Sequence, residues 1–265
     1  MVLRDRCIVV RTESTRTRPP LPEIVAHRGY AARHPENTLR AVDAALDVGV
    51  THVEVDVLLS ADGVPVLMHD ATLQRTAGRP EEVAALTWQE LAQIEVAERG
   101  RLGAAGAGAN VPSLSQLVTL LDERRTANAF IEIKRAALAR FGIDPVVERV
   151  LADLAPVRHR TIVISFSAQA VERARVLGAP RIGWVLERYD AEAEAAARRI
   201  APEFLFCNYL KLPPAPKSPW PGPWDWVAYE ITDAQLAMAL VARGVRYVET
   251  MAVAELRAAL DTSSP

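Results

Sequence analysis

The sequence predicts an α/β fold, a (β/α)8 barrel with an antiparallel hairpin excursion after its second strand. Three observations predict it. From Ile24 onward, short β-rich runs alternate with amphipathic helical stretches. The 265 residues, half of them hydrophobic, suit a barrel of about 250 residues. One strand-to-strand connection is too short for a parallel crossover, which leaves eight strands for the barrel out of nine candidates. A doubly wound open sheet shares the first two features and is the alternative.

The strand candidates are residues 24–27, 52–57, 65–68, 129–134, 161–166, 182–186, 204–207, 226–231 and 246–249. Several helices between them carry start and stop signals. "NTLRAVDAALDVG" offers Asn37 or Thr38 as its cap, sets Leu39, Val42 and Leu46 on one stripe and stops at Gly49. "SLSQLVTLL" opens on a Ser113/Gln116 capping box; "TDAQLAMALVARG" opens on Thr232/Gln235 and closes at Gly244. Only "LLSADGV" separates the second and third strand candidates, whereas a parallel crossover takes roughly a dozen residues. Asp62–Gly63 is a turn signal. A turn centred near residue 62 sets Asp56 opposite Met68 and Glu54 opposite Asp70, which returns His69 to two carboxylates.

Two stretches resist this alternation. "GRLGAAGAGAN" (100–110) is glycine-rich but follows a helical segment, so it reads as a flexible loop and not a dinucleotide fingerprint. "LPPAPKSPWPGPW" (212–224) has too many prolines for a helix and reads as an extended connection, with a lid or interaction surface as the other possibility. The expected division is an Arg-rich lead-in over 1–23 and a single catalytic barrel domain over 24–265.

Bulk properties exclude several classes. A net charge of −2 gives no electrostatic footprint for nucleic acid or anionic membranes. Cys7 and Cys207 lie too far apart in sequence to form a framework or a metal spacing, which fits a reducing compartment. The apolar run 7–10 is too short for a signal peptide core, and no segment approaches a membrane span. The expectation is a soluble, cytoplasmic protein.

Its chemistry sits at strand ends. "HVEVDVLL" alternates strictly, with Val53, Val55 and Val57 on one face and Glu54 and Asp56 on the other. "FIEIKR" repeats the pattern, with Ile131 and Ile133 opposed to Glu132 and Lys134. In a barrel the valines would pack under helices and the carboxylates would point inward, where unpaired charge is costly. Three convergent carboxylates call for a compensating cation, and all-oxygen ligation selects a hard divalent ion, Mg²⁺ or Ca²⁺. His27 ends the first strand, where barrel enzymes carry their catalysis, and His69 returns to the same region. Two imidazoles there supply a base and an acid near neutral pH, each worth about 10²–10⁴ in rate. His34, His52 and His159 sit in a loop or beside strand starts and read as structural. Arg28 and Lys134 add two fixed cations, a site for an anion and most naturally a phosphate. The residues alone reach metal-assisted phosphoryl chemistry with two histidines, without naming the substrate.

The motifs "AHRG" (26–29), "PENT" (35–38), "EVDV" (54–57), "DGVPVLMHD" (62–70) and "IEIK" (131–134), in that order, resemble the glycerophosphodiester phosphodiesterase family, densely over residues 24–76 and more loosely to about residue 250. The resemblance implies a phospholipase C-like barrel that hydrolyses glycerophosphodiesters to glycerol 3-phosphate and an alcohol. It implies Glu54, Asp56 and Glu132 as metal ligands, His27 and His69 as catalytic acid and base, and Arg28 and Lys134 as phosphate ligands. Glu36, Asn37 and Asp70 would support them, and Phe166, Trp184 and Tyr229 would wall the substrate pocket or else pack in the core. The attacking group is water or, preferably, the neighbouring glycerol hydroxyl through a cyclic phosphate. Three features depart from the family pattern: "YEIT" (229–232) replaces Trp-Thr-Val-Asn, "VETM" (248–251) replaces a terminal Thr-Asp, and the proline-rich stretch replaces a helix. They fall on the alcohol side, so a lipid-cleaving phosphodiesterase of the sphingomyelinase D or lysophospholipase D kind is an alternative. A barrel that binds a phosphodiester without cleaving it is another, although binding alone would not require both histidines.

Overall fold

A computed structural model describes residues 20–106 and 108–262 of the chain. Most of the expected lead-in, with Cys7, lies outside the described residues. Nine strands form, close to their expected positions: β1 (Glu23–His27), β2 (His52–Leu59), β3 (Pro65–Leu67), β4 (Asn128–Ile133), β5 (Thr161–Ser165), β6 (Ile182–Val185), β7 (Phe204–Asn208), β8 (Asp225–Tyr229) and β9 (Val245–Thr250). All but β3 run parallel in the order β1-β9-β8-β7-β6-β5-β4-β2, and β1 also pairs with β2, which closes the barrel.

The alternation in β2 and β4 sorts as expected. Val53, Val55, Val57, Ile131 and Ile133 are fully buried under the outer helices, and a separate apolar cluster fills the barrel interior with Val25, Phe130, Ile162, Ile164, Val185, Phe204, Phe206, Val227 and Tyr247. Gly183 on β6 makes room in that layer, since a Cβ there would stand 2.8 Å from Ile164 Cγ2. At the lower end His52 stacks on Phe130, with ring centroids 5.9 Å apart, and meets Tyr247 edge-on. It seals the floor.

The excursion after β2 has the expected register. Val57 pairs with Leu67 and Leu59 with Pro65, and Met68 N–H donates to Asp56 O at 3.0 Å, so the turn delivers His69 beside the carboxylate strand.

Helices cover the barrel after each parallel strand except β7. Thr38 caps the helix Leu39–Asp47, and the Ser113/Gln116 capping box opens the helix Leu114–Glu123. The helix Ala234–Val241 is capped by Asp233, whose carboxylate accepts from Leu236 N–H, and not by Thr232. An acidic side chain one residue later competes with the hydroxyl and wins, since it also meets the positive end of the helix.

The stretch 100–110 is less open than its glycines suggest. It carries a helical turn, Arg99–Leu102, and a 3-10 turn, Gly103–Gly106. Arg101 fastens it to the loop after β1 by donating to the carbonyls of Ala31 and His34.

The proline-rich connection stands where the sixth outer helix would lie, between β7 and β8. Leu212, Trp224 and Trp226 are buried on the outer face of β7 and β8. Trp220 stacks on Tyr189 at 3.9 Å, its N–H donates to the Tyr189 hydroxyl, and its carbonyl accepts from Trp226 Nε1. The connection is therefore a packed flank. No described helix is long and apolar enough to cross a membrane.

Candidate active site

β1 ends at His27, and the chain turns sharply at Arg28 and Gly29, both with positive φ (56° and 79°). A Cβ on Gly29 would stand 2.5 Å from the Ala41 carbonyl carbon, so only glycine lets this loop lie on its helix. The turn aims Arg28 N–H at Glu54 Oε2, 3.1 Å away, and folds the guanidinium back over the barrel mouth. There Arg28 Nη1 donates to Glu36 Oε1 at 2.9 Å, and Nε lies 3.2 Å from Asp56 Oδ2.

Asp56 is the most heavily bound of the inward carboxylates. Asn37, itself at φ 56°, donates through Nδ2 to Asp56 Oδ2 at 2.8 Å and accepts Asp56 N–H at 2.9 Å. Lys134 Nζ stands 3.0 Å from Asp56 Oδ1 and 2.8 Å from Glu132 Oε1. Burial opposes the charge of Asp56, but Lys134 and Arg28 outweigh it and hold the carboxyl below its usual range. Glu54 and Glu132 go the other way. Burial, then the Asp56 charge, raises both: Glu132 to about 7 and Glu54 well above the ordinary value.

The histidines face this group from two segments. His27 Nε2 is 4.0 Å from Glu54 Oε2. Burial, and then the charge of Arg28, push its pKa down to about 3, so it is neutral at pH 7. His69 Nδ1 lies 2.6 Å from Asp70 Oδ1. An ionised carboxylate only accepts, so Nδ1 carries a proton toward Asp70, and Nε2 is the ring nitrogen left to face the other groups.

Six of these side chains line one cavity of about 190 Å³. Its charged half is His27, Arg28, Glu54, His69, Glu132 and Lys134; its apolar half is Ile164, Phe166, Val185, Phe206 and Tyr229 from β5 to β8. Phe166 and Tyr229 are thus walls of the cavity. Trp184 is not: it lies in the outer layer, donates Nε1–H to the Phe166 carbonyl at 3.2 Å and lines a neighbouring cavity with Glu187 and Arg188. Glu36 and Asp70 brace Arg28 and His69 of the charged half, and Asn37 braces Asp56. Two acidic residues that the motifs did not single out also line the cavity, Glu230 and the fully buried Glu249. The signal for Glu249 was present, since alternation along β9 sets it on the same face as Tyr247.

The donor set fits a hard divalent cation. One oxygen each from Glu54, Asp56 and Glu132 lie within 4.8 Å of one another. Glu54 Oε1 and Glu249 Oε1 are buried without a hydrogen-bond partner. Four carboxylates here meet two fixed cations, Arg28 and Lys134, an imbalance that a dication would cancel.

Residues 27–209 match the glycerophosphoryl diester phosphodiesterase family. A Mycobacterium tuberculosis protein named as a probable glycerophosphodiester phosphodiesterase 1 is 36% identical over 197 residues, which cover 66% of this chain and 69% of that one. Mouse glycerophosphodiester phosphodiesterase 1 is 30% identical over 152 residues, 57% of this chain and 44% of its own. Among solved structures, an Oleispira antarctica phosphodiesterase in complex with the product sn-glycerol-3-phosphate superposes with a TM-score of 0.77 at 22% identity, over 91% of this chain and 97% of that one. A glycerophosphodiester phosphodiesterase from Agrobacterium tumefaciens gives 0.72 at 24% identity, over 90% and 100%. Likeness at these identities carries the fold.

Proposed function

The chain belongs to the glycerophosphoryl diester phosphodiesterase family, and from that premise we propose that it is a phosphoric diester hydrolase that releases glycerol 3-phosphate and an alcohol from glycerophosphodiesters by a metal-dependent, two-histidine mechanism. The observation that carries this reading is the meeting of two differently held histidines, two cations and an excess of buried carboxylates in one cavity. The catalytic unit is the barrel from residue 24 onward.

Glu54, Asp56 and Glu132 would hold one Mg²⁺ or Ca²⁺, which when bound supplies positive charge against the phosphodiester oxygens. Arg28 and Lys134 bind the phosphate. Arg28 is preset by Glu36 and Asp56, so its fork is ordered before substrate arrives and costs little reorganisation as charge builds on the phosphate oxygens. His27, kept neutral by burial and by Arg28, has a free lone pair and takes the proton of the attacking oxygen. His69, oriented through Nδ1 by Asp70, turns Nε2 to the departing alkoxide and, in its cationic form, gives the Nε2 proton to it, which leaves the neutral Nδ1–H ring. Phe166 and Tyr229 exclude water from the alcohol side. Turnover would return both imidazoles to their starting protonation states by exchange with solvent.

The test is glycerol 3-phosphate release from glycerophosphocholine by His27→Ala and His69→Ala proteins. Each is expected to lose at least about 10²-fold in kcat with an unchanged melting temperature. Wild-type turnover in either variant would remove that histidine from the mechanism.

A further inference from the structure

Arg75 lies on the turn Gln74–Ala77 just after the hairpin and is not among the residues that line the cavity. Its guanidinium meets three carboxylates. Nη2 and Nη1 grip the two oxygens of Glu36 at 2.6 and 2.9 Å, Nε donates to Asp70 Oδ2 at 2.7 Å, and Nη1 lies 3.5 Å from Glu98 Oε1. Glu36 Oε1 also takes Arg28 Nη1, and the other oxygen of Asp70 faces His69 Nδ1. An unbroken chain of contacts therefore runs His69–Asp70–Arg75–Glu36–Arg28, linking the end of β1 to the segment that returns from the hairpin.

We propose that Arg75 is a positioning residue, which fixes Asp70 against buried Glu36 and so sets the ring orientation and tautomer of His69 relative to Arg28. The need for it follows from exposure. The side chains of His69 and Asp70 are 33% and 29% exposed, whereas Glu36 is only 4% exposed. A surface carboxylate next in sequence to its histidine has several rotamers available. A planar guanidinium that grips Glu36 with two nitrogens and Asp70 with a third leaves it one. Lysine, a point charge on a flexible stem, could neutralise one carboxylate but could not hold both in a fixed plane.

The catalytic part of this inference rests on the proposed phosphodiesterase reading; its structural part does not, and the experiment separates them. Arg75→Met and Arg75→Lys are each expected to lower kcat for glycerophosphocholine by about 10–100-fold, with KM within about two-fold because Arg75 contacts no substrate. In an Asp70→Asn background, Arg75→Met should cost little more, since it acts through Asp70. Ring ¹⁵N shifts of labelled His69 should report the Nδ1–H tautomer in the wild type and a mixture of tautomers in Arg75→Met. A wild-type kcat, full rescue by lysine, additive losses with Asp70→Asn, or unchanged His69 shifts would each overturn the proposal. If the wild type itself releases no glycerol 3-phosphate, the functional reading fails, and the ring shifts still decide the role of Arg75.

Discussion

Asp56 and Glu249 are both inward carboxylates among the same buried charges, yet their surroundings shift their pKa values in opposite directions. Asp56 has Asn37, Lys134 and Arg28 within hydrogen-bond reach and stays ionised. Glu249 has an oxygen with no partner, and burial, followed by the charges of Glu132 and Asp56, raises its pKa well above the usual range. A carboxyl whose folded pKa exceeds its unfolded one destabilises the fold at every pH above the unfolded value. In the metal-free protein, Glu249→Gln is therefore expected to raise Tm by a few degrees at pH 7. The gain should vanish below about pH 4, where Glu249 is protonated in both states. Thermal scans across pH check this, and a lowered Tm at pH 7 would contradict it. The same residues show how far a sequence can be read at this scale. Glu54, Asp56 and Glu132 were legible because each interrupts a valine or isoleucine alternation. Trp184 stayed open between pocket wall and core because "IGWV" is apolar on both faces, so its parity carries no sign of which side points inward.

At the scale of elements, the hairpin was legible because its connection is too short for any alternative, and its turn residues fixed the register that brings His69 to Asp56. The packing of the stretch 100–110 was not. Its anchors are Arg101, reaching across to the loop after β1, and Glu98, a buried carboxylate at φ 41° that accepts from Glu36 N–H at 2.7 Å. These are contacts between residues some 60 to 70 positions apart, which no local pattern encodes. The proline-rich connection was read correctly as non-helical, but its role depends on long-range stacking. Trp220 supplies that stacking from outside the cavity. Trp220→Ala is expected to cost about 2 kcal/mol of stability, or about 4–8 °C in Tm, with kcat unchanged. Chemical denaturation paired with the turnover assay checks both halves. A large fall in kcat at full folding would instead give this connection a part in the site.

For the molecule as a whole, the barrel divides its mouth into two chemistries. β1, β2, β4 and β9 supply the charged wall; β5 to β8 supply the apolar one. A phosphodiester has the same division, a charged phosphate between organic groups, and the proposed substrate class rests on that match. The departures from the family pattern at Tyr229, Glu230 and Glu249 all fall on this cavity. The alternation of strands and helices made the fold class legible early, because closing a parallel sheet requires that repeat. Three of the four carboxylates at the mouth could be counted from the strand patterns; the fourth, Glu249, joined them only once β9 was placed.

The charge imbalance at the mouth is the centre of the account: four buried carboxylates face two cations, and the proposed mechanism balances them with a divalent ion. The most direct test is glycerol 3-phosphate release from glycerophosphocholine by EDTA-stripped protein, with and without added Mg²⁺ or Ca²⁺. The account predicts no release from the stripped protein, recovery with one of the two ions, and loss of that recovery in Glu54→Gln. Full turnover after stripping, or recovery undiminished in Glu54→Gln, would contradict it.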